Sequence, residues 1–146
     1  MEGDLMFSKI LVAVGGPDDA EETLSVVSGL AKAFNSEVLV VHMRERVVTS
    51  AATIEKETIP EAFRFGVKIA DQLVQAGIKA KADIRGHRPD RLAEFILDEA
   101  KKFNAELIII GGHHAHGMRD RIFGDIGKTL AHGSECPLLL MPSGPQ

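Results

Sequence analysis

The chain has 146 residues, a formal net charge of −4 at pH 7, an apolar fraction of 45% and one cysteine. Its length suits one domain that buries a substantial core, and its composition is that of an ordinary soluble globular protein. The negative charge excludes a general attraction to nucleic acid or to anionic membranes, so neither is expected as a partner. No apolar run approaches the roughly 20 residues of a membrane span. A single cysteine excludes an intrachain disulfide and suits a reducing compartment, so we expect a cytoplasmic protein.

Five short segments have the pattern of strands, and four of these are apolar throughout, as in a parallel sheet that is covered on both faces. The exception is 79–85, which alternates apolar and charged residues and is therefore predicted to be an edge strand with one wet face. Apolar residues recur at helical spacing between the strands. The strand segments are, in chain order, 9–14, 37–43, 79–85, 106–110 and 138–141.

The helix predicted after the polar connection 44–57 has a well-marked start and end. Thr58 followed by Glu61 forms a capping box, Pro60 suits the first turn, and Gly77 follows the last apolar residue. Four apolar residues at helical spacing are predicted to form the buried face of this helix: Phe63, Val67, Ala70 and Val74. No comparable signal is present in 44–57, which is predicted only as a polar connection.

The alternation of strands and helices predicts an α/β fold, a single doubly wound domain with a five-stranded parallel sheet and helices on both faces. Right-handed crossovers with one reversal of winding give the strand order 3-2-1-4-5. In this order the first and fourth strands flank a crevice at the carboxyl edge of the sheet. The domain is predicted to span 9–142, with a loose lead-in at 1–8 and a tail at 143–146.

The segment 106–142 carries the most specific pattern. An apolar strand ends at Gly111 and Gly112, a polar loop follows, a short helix opens at Gly124, and the last strand lies between two prolines. In a doubly wound sheet, a glycine loop that leads from the carboxyl end of a strand to a helix N-terminus is where a phosphate can sit.

This segment resembles the signature of the universal stress protein family, which reads Gly, two residues, Gly, nine residues, then Gly-Ser or Gly-Thr. Gly111 and Gly124 match its first and last glycines, whereas His114 stands at the second glycine and Asp125 at the Ser or Thr. The resemblance implies an adenine nucleotide alpha hydrolase-like fold. It also implies a nucleotide crevice in which an Asp after the first strand holds the adenosine, a second-strand residue offers backbone to the base and the signature wraps the phosphates. Carried onto this chain, the candidate cofactor-binding positions are Gly15, Gly16, Val41, Ile110, Gly111, His114, Gly124 and Asp125.

Three of these positions depart from the nucleotide-binding pattern. Gly15 lacks a side chain where the family has Asp, and His114 adds an imidazole where a glycine lets backbone N–H groups approach phosphate. Asp125 replaces a hydroxyl donor by a carboxylate, which only accepts hydrogen bonds and repels phosphate. At ~4 Å and a mid-range dielectric this repulsion is about 4 kcal/mol, roughly a thousandfold in affinity. We therefore expect no cofactor and no tight ATP binding, with Asp125 at the helix N-terminus filling the anion site itself.

An alternative interpretation is an ATP- or AMP-binding protein, with a slow ATPase activity, in which basic loop residues compensate for the lost glycine. His113, His114, His116, Arg119 and Arg121 cluster in the loop and would attract an anion. The three histidines also suggest a metal, since imidazole binds zinc, copper or nickel. The adjacent side chains of His113 and His114 would tend to diverge in an extended segment, however, and the only cysteine lies beyond the next predicted helix, so no metal site is expected. No nucleophile is spaced with a base, so no catalytic residue is assigned and the chain is not expected to be an enzyme.

The last strand is apolar on both faces although it lies at the other edge of the predicted sheet. An uncovered apolar edge pairs readily with another chain, and a twofold dimer through Leu138, Leu139, Leu140 and Met141 would cover it, as the resemblance also implies. The residues and the resemblance together predict a homodimeric binding or regulatory module of the stress response, with a degenerate nucleotide crevice and a protein partner that the sequence does not identify. His42, at the end of the second strand, is expected to pack there rather than to bind a ligand.

Overall fold

The chain folds as strands that alternate with helices. The structure is a computed structural model that describes residues 6–15, 20–43, 46–48, 51, 53–55, 58–85, 91–111 and 127–141. The described elements are, in chain order, β1 (Lys9–Val14), α1 (Ala20–Phe34), β2 (Glu37–Met43), β3 (Arg46–Val48), β4 (Thr53–Glu55), α2 (Ile59–Gln75), β5 (Lys79–Arg85), α3 (Leu92–Phe103), β6 (Leu107–Ile110) and β7 (Leu138–Leu140). Residues 127–133, between the last two strands, are also helical.

Five of the strands form one parallel sheet in the order β5-β2-β1-β6-β7. β1 lies at its centre, with Ala13 opposite Val41 of β2 on one side and opposite Ile110 of β6 on the other. The winding reverses at β1, because β2 and β5 lie to one side of it and β6 and β7 to the other. Counted along the chain these five strands have the order 3-2-1-4-5, which confirms the predicted fold class. The carboxyl ends of β1 and β6 therefore flank the crevice.

A two-stranded antiparallel hairpin lies where the sequence analysis predicted only a polar connection. β3 and β4 pair with Val47 opposite Ile54. β-Branched residues are present in both segments and favour strand formation. The prediction for 44–57 was therefore incomplete, since the segment is short but not without secondary structure.

The central strands carry apolar side chains on both faces, and both faces are covered. Val12 of β1 belongs to a core that includes α1 and α2, whereas Leu11 points the opposite way into a core that includes α3 and Leu130. Both β1 residues are fully buried. Each such side chain contributes about 1.5–3 kcal/mol relative to exposure, so the sheet is a rigid base for the loops at its carboxyl edge.

α2 packs through a different face from the one that its apolar spacing predicted. Three of the four predicted residues are exposed: Phe63 by 59%, Val67 by 36% and Val74 by 51%. The prediction was wrong for these three and right for Ala70, which is buried. The buried residues of α2 are Ala62, Gly66, Ile69, Ala70 and Leu73. The physical reason is close approach, because a Cβ atom added at Gly66 would lie 2.6 Å from Cγ1 of Ile84 in β5. The small Ala62 and Gly66 thus allow the helix to approach the sheet closely, Ile69 and Leu73 fill the core, and the three mispredicted residues are left on an outer side.

Helix boundaries follow the local sequence signals. The Thr58 hydroxyl accepts a hydrogen bond from the Glu61 amide, and the Glu61 carboxylate accepts one from the Thr58 amide, which confirms the capping box. Gly77 follows α2 with a φ of 88°, a left-handed conformation that glycine adopts without steric cost. Asn35 and Asn104 take left-handed conformations after α1 and α3.

Residues 7 and 8 pack at the amino edge of the sheet, opposite the crevice. The Phe7 ring meets Phe34 edge-on with centroids 5.3 Å apart. The amide and hydroxyl of Ser8 donate hydrogen bonds of 2.9 and 2.8 Å to the carboxylate of Glu106. These two donors lower the pKa of Glu106, because they stabilise its ionised form.

Candidate functional site

The described part of the crevice is built where β6 ends beside β1. The Gly111 amide donates a hydrogen bond of 2.8 Å to the carbonyl oxygen of Ala13, so the chain leaves β6 in direct contact with the end of β1. A Cβ atom added at Gly111 would lie 3.0 Å from Oγ1 of Thr23 and 3.2 Å from that same Ala13 oxygen. Gly111 is therefore required by close packing, since no side chain fits between β1 and α1 at this point.

Thr23 is a residue of the crevice that the sequence analysis missed. Its side chain lies in the second turn of α1, is 1% exposed and faces Gly111. The signal was present in the helical spacing, because Thr23 occupies the same buried stripe as Ala20, Val27 and Ala31. A hydroxyl in an otherwise apolar stripe indicates a place where the helix meets backbone polar groups.

The carboxyl end of β2 is fixed to that of β1 by a buried histidine. Nδ1 of His42 donates a hydrogen bond of 2.9 Å to the Val14 carbonyl oxygen, and its ring meets Phe65 of α2 with centroids 4.6 Å apart. His42 is 1% exposed, so it packs at the strand end as expected. The neighbouring Val41 is equally buried, with its side chain in the core that contains α3.

Four of the eight candidate nucleotide positions lie in the described part of the chain, and the structure brings them to one edge. Gly15 follows β1, Val41 lies near the end of β2, and Ile110 and Gly111 end β6. Gly15 is half-buried and offers only backbone. The other four positions lie outside the described residues and stay predictions: Gly16, His114, Gly124 and Asp125. The other two loop histidines, His113 and His116, lie outside them as well.

A pair of carboxyl groups lies one strand away from the crevice. Asp83 of β5 is the register partner of Val41. Glu99 of α3 is 6% exposed, and its pKa is raised, first by a side-chain hydrogen bond with Asp83 and then by burial and by the Asp83 charge. The Lys102 ammonium, 3.3 Å from Glu99, acts in the opposite direction. Two carboxyl groups that share a hydrogen bond hold a proton between them more strongly than either would alone.

Neither a metal site nor a membrane span is found among the residues that the structure describes. No group of three His, Cys, Asp or Glu side chains in these ranges is placed to hold a metal ion. No helix in the same ranges is long and apolar enough to cross a membrane. The histidine-rich loop lies outside them, so its predicted lack of a metal stays a prediction.

The far edge of the sheet is formed by β7. Its partner on one side is β6, and no described strand pairs with its other side. Leu138 and Leu139 are half-buried in the two cores, whereas Leu140 is 42% exposed. The Met141 amide donates to the carbonyl oxygen of Ile110, which extends the pairing past the strand end. The edge is therefore apolar, as the sequence predicted.

The sheet order and the glycine at the end of β6 define a doubly wound α/β protein with a crevice between its first and fourth sheet strands. The family model described as the universal stress protein family matches residues 6–142, so the chain belongs to this family, and the sequence-based assignment is confirmed. Universal stress protein YxiE of Bacillus subtilis is 28% identical, over 93% of this chain and 99% of that protein.

Solved structures of this family share the fold. One from Burkholderia pseudomallei has a TM-score of 0.69 and 22% identity, and the match covers 94% of this chain and 98% of the other. The universal stress protein from Archaeoglobus fulgidus in complex with dAMP has a TM-score of 0.63 and 23% identity, with coverage of 92% and 98%. dAMP is a ligand of that protein, and the likeness to this chain is one of fold.

Proposed function

We propose that this universal stress protein is a homodimeric binding or regulatory module of the stress response, that it acts in the cytoplasm with a protein partner, and that it does not bind ATP tightly. The observation that carries the proposal is Asp125, which stands where the family signature has Ser or Thr. A carboxylate there repels phosphate and has no hydrogen to donate to it. A carboxylate also suits a helix N-terminus, where it would accept hydrogen bonds from the backbone N–H groups that a phosphate would otherwise use.

The frame of the crevice supports a degenerate site rather than a lost one. Gly111 is held against Ala13 and Thr23, and the ends of β1 and β2 are joined through His42. The first signature glycine thus keeps its place, while Gly15 provides no carboxylate to hold an adenosine. Restoring the missing groups should therefore restore binding without rebuilding the fold.

The second candidate function is ATP or AMP binding, with a slow ATPase activity. Two observations favour it: a structural neighbour is in complex with dAMP, and the signature loop carries five histidine or arginine side chains between positions 113 and 121. Protonated histidines and arginines would offset part of the repulsion from Asp125. The two candidates differ in one measurable quantity, the affinity of the native chain for ATP.

Dimer formation through β7 is part of the proposal. The exposed Leu140 supports it, because no strand among the described residues pairs with the outer edge of β7, and pairing two such edges about a twofold axis would cover the leucines. Leu140→Asp places like charges near this axis and should lower the dimer population. The mass measured by light scattering, compared with that of the native chain, tests this part separately.

The test of nucleotide binding is calorimetric titration of ATP and of AMP into three chains: native, Asp125→Ser and Glu135→Ser. Glu135 is exposed and lies outside the signature, so its substitution removes the same charge without touching the site. We expect binding to appear with Asp125→Ser alone. Equal affinity of the native and Asp125→Ser chains would contradict the proposal, and equal gains with both variants would show that only net charge matters.

A further inference from the structure

The outward side of α2 carries a stripe of exposed apolar side chains that the sheet does not use. We call the α2 stripe the set Ile59, Phe63, Val67 and Val74, whose exposures are 64%, 59%, 36% and 51%. The first three follow one another at four-residue intervals and the last comes seven residues later, so all four lie on one side of the helix. Contiguous exposed apolar side chains on one helix side are often an interaction site, whereas single exposed apolar residues are ordinary.

The α2 stripe lies on the side of α2 that is turned away from α1, the other helix on this face of the sheet. Phe65 packs against His42 of β2, and Gly66 lies against Ile84 of β5. Residues two positions before and after Phe65 project to the opposite side of a helix, which places Phe63 and Val67 above the outer edge of β5. No described strand pairs with that edge. The stripe is thus at the opposite edge of the sheet from β7.

We propose that the α2 stripe binds the same stripe of a second copy of this chain, with the two helices antiparallel about a twofold axis near Val67. The spacing is self-complementary. An antiparallel copy brings Phe63 opposite Ala70, which is small and 7% exposed, and it brings Ile59 opposite Val74. The largest side chain of the stripe then meets its smallest neighbour, and the two β-branched side chains meet each other, which allows close helix packing.

The charges that flank the stripe pair about nearly the same axis. The pair Arg64 with Asp71 centres half a residue after Val67, and the apolar pairs centre half a residue before it, a difference of about 1.5 Å along the helix. Arg64 and Asp71 are both exposed, lie on the same flank of the stripe and are three residues before and four residues after Val67. In the antiparallel pair, each Arg64 therefore lies near Asp71 of the other copy, which gives two equivalent ion pairs. Opposite charges placed in this way fix the register of an interface. This agreement between the apolar and the charged residues favours a second copy over an unrelated helix.

The composition of the flank argues against a membrane as the occupant. An amphipathic helix that binds anionic lipid has a polar face rich in lysine and arginine. The polar face of α2 mixes two acidic residues, Glu61 and Asp71, with two basic ones, Arg64 and Lys68. No excess of positive charge is present to hold the helix on a lipid surface.

The expected association is weak and reversible. The stripe alone is smaller than an interface of standard size, which buries about 1,200–2,000 Å² in total. Because the stripe and β7 lie at opposite edges of the sheet, pairing through both would join dimers into larger assemblies at high protein concentration. The inference goes beyond the proposed function and does not depend on nucleotide binding or on the β7 dimer.

The experiment is sedimentation velocity of the full chain from about 1 µM to about 1 mM, with the Leu140→Asp background used to remove association through β7. We expect Leu140→Asp to form dimers as the concentration rises. Val67→Glu in this background places two carboxylates at the twofold axis and should weaken the association at least about tenfold. Gln72→Glu is the matched control, because it adds the same charge on the exposed polar face of the same helix.

A charge exchange tests the identity of the occupant. Arg64→Asp alone should weaken the association of the Leu140→Asp chain, because two acidic groups then face each other. The double variant Arg64→Asp with Asp71→Arg should restore it, since only a second copy of the same helix exchanges both partners at once. A Leu140→Asp chain that stays monomeric throughout, equal effects of Val67→Glu and Gln72→Glu, or a double variant as weak as the single one would each overturn the proposal. Dimers of the Leu140→Asp chain that are lost on adding Val67→Glu would support the α2 pairing.

Discussion

The close packing around Gly111 predicts that Gly111→Ala destabilises the protein. The added Cβ would lie 3.0 Å from Oγ1 and 3.4 Å from Cγ2 of Thr23, and 3.2 Å from the Ala13 carbonyl oxygen. Two of these contacts are shorter than ordinary van der Waals distances, so α1 or β1 must move. Overpacking of this kind costs about 1–3 kcal/mol, and the lower entropy of the unfolded alanine chain offsets about 0.4–1 kcal/mol of it. We expect a net loss of about 1–2 kcal/mol in the free energy of unfolding, which lowers Tm by several degrees.

A second substitution tests whether Thr23 is the cause. Thr23→Ala removes both of the Thr23 contacts and leaves only that with the Ala13 carbonyl oxygen. In the double variant, Gly111→Ala should therefore cost at most about half of what it costs alone. Gly29→Ala is the matched control within α1, because its Cβ meets nothing within 4 Å. That change should raise stability by up to about 1 kcal/mol.

The assay is urea unfolding followed by circular dichroism, because the chain has no tryptophan or tyrosine to report by fluorescence. Two results would refute the reasoning. The first is a Gly111→Ala variant as stable as the native chain. The second is an equal cost of Gly111→Ala in the presence and absence of Thr23, which would mean that the glycine is not required by contact with α1.

Three further predictions concern buried or hydrogen-bonded side chains. The folded-state pKa of Glu99 is raised, so the side chain stabilises the fold below its ordinary pKa of 4.5, and this stabilisation is lost as pH rises through the folded pKa. Glu99→Gln should therefore raise the free energy of unfolding at pH 7 by about 1 kcal/mol. A difference from the native chain that persists at pH 3 would contradict this. The pKa of Glu106 is lowered, so its carboxylate stabilises the fold above pH 4.5, and this stabilisation is lost as pH falls through the folded pKa. In the same unfolding assay, Glu106→Gln should therefore destabilise the protein at pH 7 and not at pH 3. His42→Leu removes the buried hydrogen bond to the Val14 carbonyl oxygen, at a cost of about 0.5–1.5 kcal/mol, whereas thermal unfolding unchanged from the native chain would show that the hydrogen bond contributes nothing.

The sequence predicted the sheet well because its signals are local and strong. Apolar β-branched runs can be satisfied only inside a covered sheet, and the alternating segment 79–85 has one face that must stay wet. The capping box at Thr58 predicted the start of α2 correctly, and Gly77 predicted its end. The reversal of winding then followed from the handedness of the crossovers and needed no further information.

The face of α2 was mispredicted because the helix has apolar residues on two adjacent sides. Periodicity alone does not show which side meets the sheet, and the predicted buried face was the one with the larger side chains. The deciding factor was the distance between helix and strand, which Gly66 and Ala62 allow to be short. That distance depends on tertiary packing, so it is not readable from a window of sequence.

The site was predicted only in outline. The position of Gly111 at the end of β6 followed from the strand and glycine pattern. Thr23 and the pair of Asp83 with Glu99 were missed, because each is made by side chains that are distant in sequence and meet only in the fold. Thr23 and Glu99 are each a polar residue within an apolar helical stripe, and this pattern was the available signal that they are buried.

The central claim is that the crevice of this universal stress protein no longer holds ATP tightly. Its most direct test is calorimetric titration of magnesium ATP into the native full-length chain at neutral pH. We predict no saturable heat, which corresponds to a Kd weaker than about 1 mM. A saturable isotherm with a Kd of about 1–10 µM and one site per chain would contradict the claim and would assign the basic loop around His114 a role in holding phosphate.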